Sequence, residues 1–89
     1  MLVLPADLTR TQASASLLML VQGLRVQGED AVVVDARALE KFDSAALAVL
    51  LELRREGLAH GKAMRFRGLP QRLRDLAQVY GIAELLPAE

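Results

Sequence analysis

The chain has 89 residues, 53% of them hydrophobic but only three aromatic, with no cysteine, one histidine and a formal net charge of +0. A chain of this size allows one core, burying about 60 to 65% of the unfolded surface, and that core has to be built from Leu, Val and Ala, which suits layered helices and strands better than a ligand cage. Without cysteine there is no disulfide framework, thiolate zinc site or cysteine nucleophile, and the chain suits a reducing compartment such as the cytoplasm.

No stretch approaches the roughly 18 uninterrupted apolar residues of a membrane span, and the opening MLVLPADLTR carries no basic leader, so neither insertion nor a visible secretion signal is expected. With no repeat or linker in view, residues 1–89 are read as one domain. Leu2–Leu4 form a short strand candidate, closed by Pro5, which cannot donate to a central ladder. Thr9 and Gln12 have the spacing of a capping box, opening a helix whose Ala13, Leu17, Leu20, Val21 and Leu24 share one face. Gly23 and Gly28 are expected to loosen its end. AVVVDA, residues 31–36, is a β-branched run without polar alternation, which predicts a central strand buried on both faces, as in parallel sheets.

Phe42, Asp43 and Leu47 then predict a helix capped by Asp43, stapled by the two apolar residues and running to about Gly57. AMRFRG alternates Met64 and Phe66 with Arg65 and Arg67, a half-exposed strand, completing a right-handed βαβ unit. Pro70 opens a last helix with Leu69, Leu73, Leu76, Ala77 and Tyr80 on one face and Gly81 at its end. IAELLP lays an apolar tail on the core.

The helix after Asp43 carries the feature that asks for a functional explanation. Its core arc holds Ala46, Leu47, Val49, Leu50, Leu51 and Leu53, joined late by Arg54 and Leu58. Ser44, Ala48 and Arg55 fall outside that arc, and Ala45 lies with Glu52 further round. Small residues on an outward face let another backbone approach closely, so a docking surface is expected at the helix start. Ser44 also sits at the positive end of the helix dipole, where a phosphate is tolerated electrostatically although Asp43 opposes it. Against this stands the plain reading that Asp and Ser open many helices and that alanine is the best helix former.

Other chemistries have weaker support. Residues 54–74 carry seven basic residues against Glu56 alone, but these alternate with apolar positions as the solvated sides of ordinary elements do, and no aromatics are interleaved for base stacking. No nucleic acid is therefore expected. His60 lies in a glycine-flanked loop with no Asp or Ser spaced for a triad, and it can favour the negative helix end. Asp35 and Asp43 lie at a strand end and a helix start, a crevice position in α/β sheets, but no glycine-rich phosphate loop accompanies them. One histidine and no cysteine give no metal site, and no cofactor is expected.

From about residue 31 to 86 the sequence resembles a STAS domain, the family of anti-sigma factor antagonists, sulphate-transporter tails and related modules. The resemblance rests on an apolar strand ending in Asp35, FDSAAL leading into a helix, MRFRGLP between strand and last helix, and LAQVYGIAELL at the end, in that order and spacing. The combination of LAQVYGIAELLP with FDSAALAVLLEL is most like the small cytoplasmic STAS subunits of phospholipid ABC transporters in Gram-negative bacteria. This implies an α/β fold, a mixed β-sheet of about four strands with helices mainly on one face, and a non-enzymatic role. The implied partner is the transporter's ATPase subunit, with membrane contact only through it. Carried over onto this sequence, Asp43 matches the turn acid and Ser44 the hydroxyl residue after it, which is usually threonine at the ATPase contact.

The expected partner surface is Asp43, Ser44, Ala45, Ala48 and Arg55, extended by Glu52. The alternative is an anti-sigma factor antagonist phosphorylated on Ser44 by a partner kinase. Two departures bear on the choice: Ala46 stands where the family commonly has glycine, and Ala45 where some antagonists carry a second hydroxyl. Only one strand is expected before the first helix, where many STAS domains have two, leaving the first sheet edge shortened or open to pairing.

Overall fold

A computed structural model describes residues 1–89. In chain order its elements are β1 (Leu2–Val3), β2 (Asp7–Leu8), α1 (Ala13–Arg25), β3 (Ala31–Asp35), β4 (Lys41–Phe42), α2 (Ser44–Ala59), β5 (Ala63–Arg67), α3 (Gln71–Val79) and a closing 3-10 turn (Ala83–Leu85). The apolar run at β3 takes the centre of a three-stranded sheet, ordered β1-β3-β5, with Leu2 opposite Val34 and Val34 opposite Phe66. A fourth chain segment reaches the β5 edge, where Phe66 N–H donates to Pro87 O (2.9 Å), Glu89 N–H donates to Phe66 O (3.0 Å), and Phe66 pairs with Ala88. The expected sheet of about four strands is thus present, with every pairing parallel.

Side chains alternate across a strand, and only one face of this sheet is covered. Leu2, Val32, Val34, Met64 and Phe66 join Leu20, Leu24, Leu47, Leu50, Leu53, Leu73 and Ala77 from the three helices in one buried cluster. On the other face Val3, Ala31, Ala63 and Arg65 are exposed and Val33 is half-buried. The expectation that AVVVDA is buried on both faces is therefore corrected: the helices pack on one side, and Val33 points to the other.

Two glycines inside helices set how closely the layers approach. α1 continues through Gly23, where an added Cβ would lie 3.0 Å from Leu2 Cδ2. Likewise α2 runs past Gly57 to Ala59, and a Cβ on Gly57 would lie 2.6 Å from Met64 Sδ. Both stand two residues before the last residue of their helices, near the ends the sequence predicts, and they also let helix backbone lie against β1 and β5. Ala46, Leu50, Leu53 and Gly57 form the buried stripe of α2, while Leu58, on the stripe beside it, is 54% exposed rather than in the core arc.

α3 starts after Pro70, whose carbonyl accepts from Leu73 and Arg74 N–H, each at 3.0 Å. It ends in a Schellman motif: Gly81, at φ +72°, donates to Gln78 O, and Ile82 donates to Ala77 O. That reversal brings Ile82 and Ala83 onto the core, with Leu86 buried behind them, as the apolar tail predicts. It also leaves Tyr80 58% exposed, although the sequence placed it on one face with Leu73, Leu76 and Ala77.

Candidate partner-binding surface

A second, two-stranded ladder positions the candidate site. β2 and β4 pair in parallel, Asp7 opposite Lys41 and Leu8 opposite Phe42. Glu40 and Lys41 N–H both donate to Ala6 O (2.8 and 2.9 Å). Each of these strands leads into a helix within a few residues, so the ladder sets the starts of α1 and α2 side by side. The expectation of a single strand before the first helix is corrected accordingly, because β2 precedes α1 as well.

Asp43 binds the two helix starts together. As N-cap of α2 its Oδ1 accepts from Ala45 N–H at 2.9 Å, and its Oδ2 accepts from Arg10 N–H at 3.1 Å, just before α1. One carboxylate thus satisfies an orphan helix donor and fixes the neighbouring loop. The Thr9–Gln12 pair forms half of its predicted box: Gln12 Oε1 accepts from Thr9 N–H (2.9 Å) and its hydroxyl (2.6 Å), while the helix begins at Ala13. Beside the α2 start, the Arg72 guanidinium stacks 4.5 Å above the Phe42 ring.

Between the two helices lies an open groove of about 520 Å³, lined by Ala13, Ser14 and Leu17 of α1 and by Ala45, Ala48, Val49, Leu51, Glu52 and Arg55 of α2. Four of the six predicted site residues, Ala45, Ala48, Glu52 and Arg55, line it. Asp43 and Ser44 stand immediately before Ala45, at its N-terminal end. Ala48 and Ser44 are exposed, as the outward face requires. Arg55 Nη1 donates to both Glu52 carboxylate oxygens (2.9 and 3.0 Å), a polar rim beside the apolar floor. Ala46, where the family commonly has glycine, is fully buried in the helix and donates its N–H to Asp43 O at 3.0 Å, so the extra methyl is taken up by the core.

Sequence reasoning missed the α1 wall. Ala13 and Leu17 read as ordinary core positions, and Leu51 as part of the core arc, yet all three are half-buried and face the groove. The available signal was the small pair Ala13–Ser14 at the start of α1, matching Ser44, Ala45 and Ala48 on α2. Using it required knowing that the two helices start together.

The remaining charged groups lie elsewhere. Asp35 is buried at the end of β3 and accepts from Arg37 Nε (3.0 Å), Nη2 (2.8 Å) and backbone N–H (3.0 Å). These bonds, the side-chain ones foremost, hold its pKa at about 2. Glu89 is likewise held below the usual carboxylate range by hydrogen bonds from Arg67. His60 Nδ1 is 2.9 Å from Glu56 O at the end of α2, as expected of a residue at the negative helix end. The basic residues of 54–74 do not form one patch. Arg55 borders the groove, Lys62 Nζ donates to Gln27 and Glu29 carbonyls, Arg65 lies on the uncovered sheet face, Arg72 covers Phe42, and Arg74 lines a separate cleft of about 280 Å³ between β5 and α3.

The architecture is that of a small α/β module, and its most distinctive surface is a pair of aligned helix starts with small residues between them. The chain belongs to the STAS domain family: the family model described as the MlaB STAS domain matches residues 1–87. Proteins of this family act in protein–protein interactions and are generally non-catalytic. No curated protein matches the chain. No helix is long and apolar enough to cross a membrane.

Proposed function

We propose that this chain is a non-catalytic, MlaB-like subunit that binds and supports the ATPase subunit of a phospholipid ABC transporter. It works in the cytoplasm of a Gram-negative bacterium, peripheral to the inner membrane through that partner. The observation that carries the reading is the joint start of α1 and α2, where Ala13, Ala45 and Ala48 leave room for a partner's backbone to come close. Asp43 keeps the two helix starts in register, Ser44 presents a free hydroxyl at the mouth, and the Glu52–Arg55 pair supplies a polar rim. Docking there stabilises the assembled ATPase by mass action, without chemistry. Family membership supports the interaction role, and the MlaB character of the matching domain supports the transporter.

The test is affinity capture of the tagged chain from its native host, read by mass spectrometry, with Ser44→Arg as control. Recovery of an ABC ATPase together with lipid-transport subunits, lost in Ser44→Arg, is the expected result. Recovery of a kinase-like anti-sigma factor would refute it. That second reading, an anti-sigma factor antagonist phosphorylated on Ser44, draws on one observation: the Ser44 side chain is exposed and makes no hydrogen bond within the chain. The adjacent Asp43 carboxylate and the lack of a hydroxyl at Ala45 weigh against it.

A further inference from the structure

α1 carries a second feature, turned away from both the core and the groove. At 3.6 residues per turn, Ala15, Leu18, Met19, Gln22 and Val26 fall within about 100° of its circumference. Leu18 is 62%, Met19 71% and Val26 83% exposed, and no charged residue interrupts the arc. Large apolar side chains gathered this way on a small protein mark a contact surface. The stripe has no part in holding the fold, since Leu20 and Leu24 supply the buried side of the helix.

We propose that this stripe binds a second copy of the chain, the two α1 helices packing antiparallel across a two-fold axis. The pattern complements itself in size: with the axis between Leu20 and Val21, Ala15 faces Val26 and Met19 faces Gln22, so the smallest residue meets a large one at each end. It also complements itself in charge. Exposed Arg10 precedes the helix, and exposed Glu29 and Asp30 follow it. None of these three side chains is paired within the chain, where only the Arg10 N–H and the Glu29 and Asp30 carbonyls are engaged. An antiparallel pair brings Arg10 of each copy toward Glu29 and Asp30 of the other, whereas a parallel pair would set like charges together. A lipid surface fits less well, because an interfacial helix needs a polar face rich in Lys and Arg, and α1 has Arg25 alone.

Sedimentation equilibrium of the purified full chain, from micromolar to near-millimolar concentration at low salt, tests the proposal. Self-association to twice the chain mass is expected, and Met19→Glu should raise the dissociation constant by more than about tenfold, as at a central apolar contact, while leaving circular dichroism unchanged. Arg10→Glu alone, and Glu29→Arg with Asp30→Arg, should each weaken association, and an equimolar mixture of these two variants should restore it. A wild-type chain that stays monomeric throughout would overturn the proposal. So would a dimer indifferent to Met19→Glu, charge variants that fail to complement on mixing, or a monomer whose stripe binds phosphatidylglycerol vesicles in flotation.

Discussion

Two leucine truncations on one helix measure how burial is distributed around α2. Leu50→Ala and Leu58→Ala are the same chemical change in the same helix, so intrinsic helix propensity contributes equally to both and cancels in their difference. Leu50 is 0% exposed and Leu58 54% exposed. Removing Leu50 to Cβ forfeits about 0.8 kcal/mol for each of roughly three methylene-sized groups, and the cavity left under the sheet brings the loss to about 3 to 5 kcal/mol. The same truncation at Leu58 removes groups already half in water and leaves no cavity, so at most about 1 kcal/mol is lost. A domain of this size has a stability of roughly 5 to 13 kcal/mol, so Leu50→Ala should remove a quarter or more of it and lower Tm by more than about 10 °C. Urea unfolding followed by circular dichroism reads both variants, with unchanged m-values as the check that the same transition is compared. Equal losses, or a larger loss at Leu58, would refute the assignment of the Ala46–Leu50–Leu53–Gly57 stripe to the core.

Other consequences follow from particular contacts. Asp43→Ala removes the α2 cap and the tie to Arg10, and should cost about 1 kcal/mol in thermal unfolding. Gly68 has φ +69°, and an added Cβ would lie 2.4 Å from Arg37 Cγ; Gly68→Ala should therefore cost more than Gly61→Ala, where φ is +70° but the space is open. The pKa of Asp35 is depressed to about 2 from the ordinary aspartate value of 3.8, so its contribution to stability is present above pH 4 and lost as pH falls toward 2. Acid unfolding should accordingly show a steeper fall between about pH 4 and 2 in the wild type than in Asp35→Asn, and identical profiles would contradict the assigned bonds.

The elements with strong local patterns were legible in the sequence: β3 from its β-branched run, α2 from Asp43 and its apolar arc, and α3 from Pro70 and Gly81. So was the outward, small-residue face of α2. What escaped depended on partners distant in the chain. β2 and β4 have two residues each, too few for any periodicity, and are defined only by pairing across more than thirty residues. The α1 wall of the groove escaped for the same reason, because nothing local to Ala13 and Leu17 says that α2 starts beside them. Gly23 and Gly57 read as helix ends since glycine usually marks them, and each helix does end two residues later; only the close approach of Leu2 and Met64 shows their packing role. Tyr80 had the spacing of a core position, but the Gly81 reversal gave that place to Ile82.

Docking of the partner where α1 and α2 begin makes the groove residues, and not the rest of the surface, sensitive to substitution. Its most direct test is the affinity of the captured ATPase subunit for purified chain carrying either Ala48→Arg, in the groove, or Val79→Arg, 80% exposed on α3. Both substitutions place an arginine at an exposed helical alanine or valine and should leave the fold intact. Ala48→Arg should lose at least about tenfold in binding and Val79→Arg nothing; unimpaired binding by Ala48→Arg would place the partner on another surface.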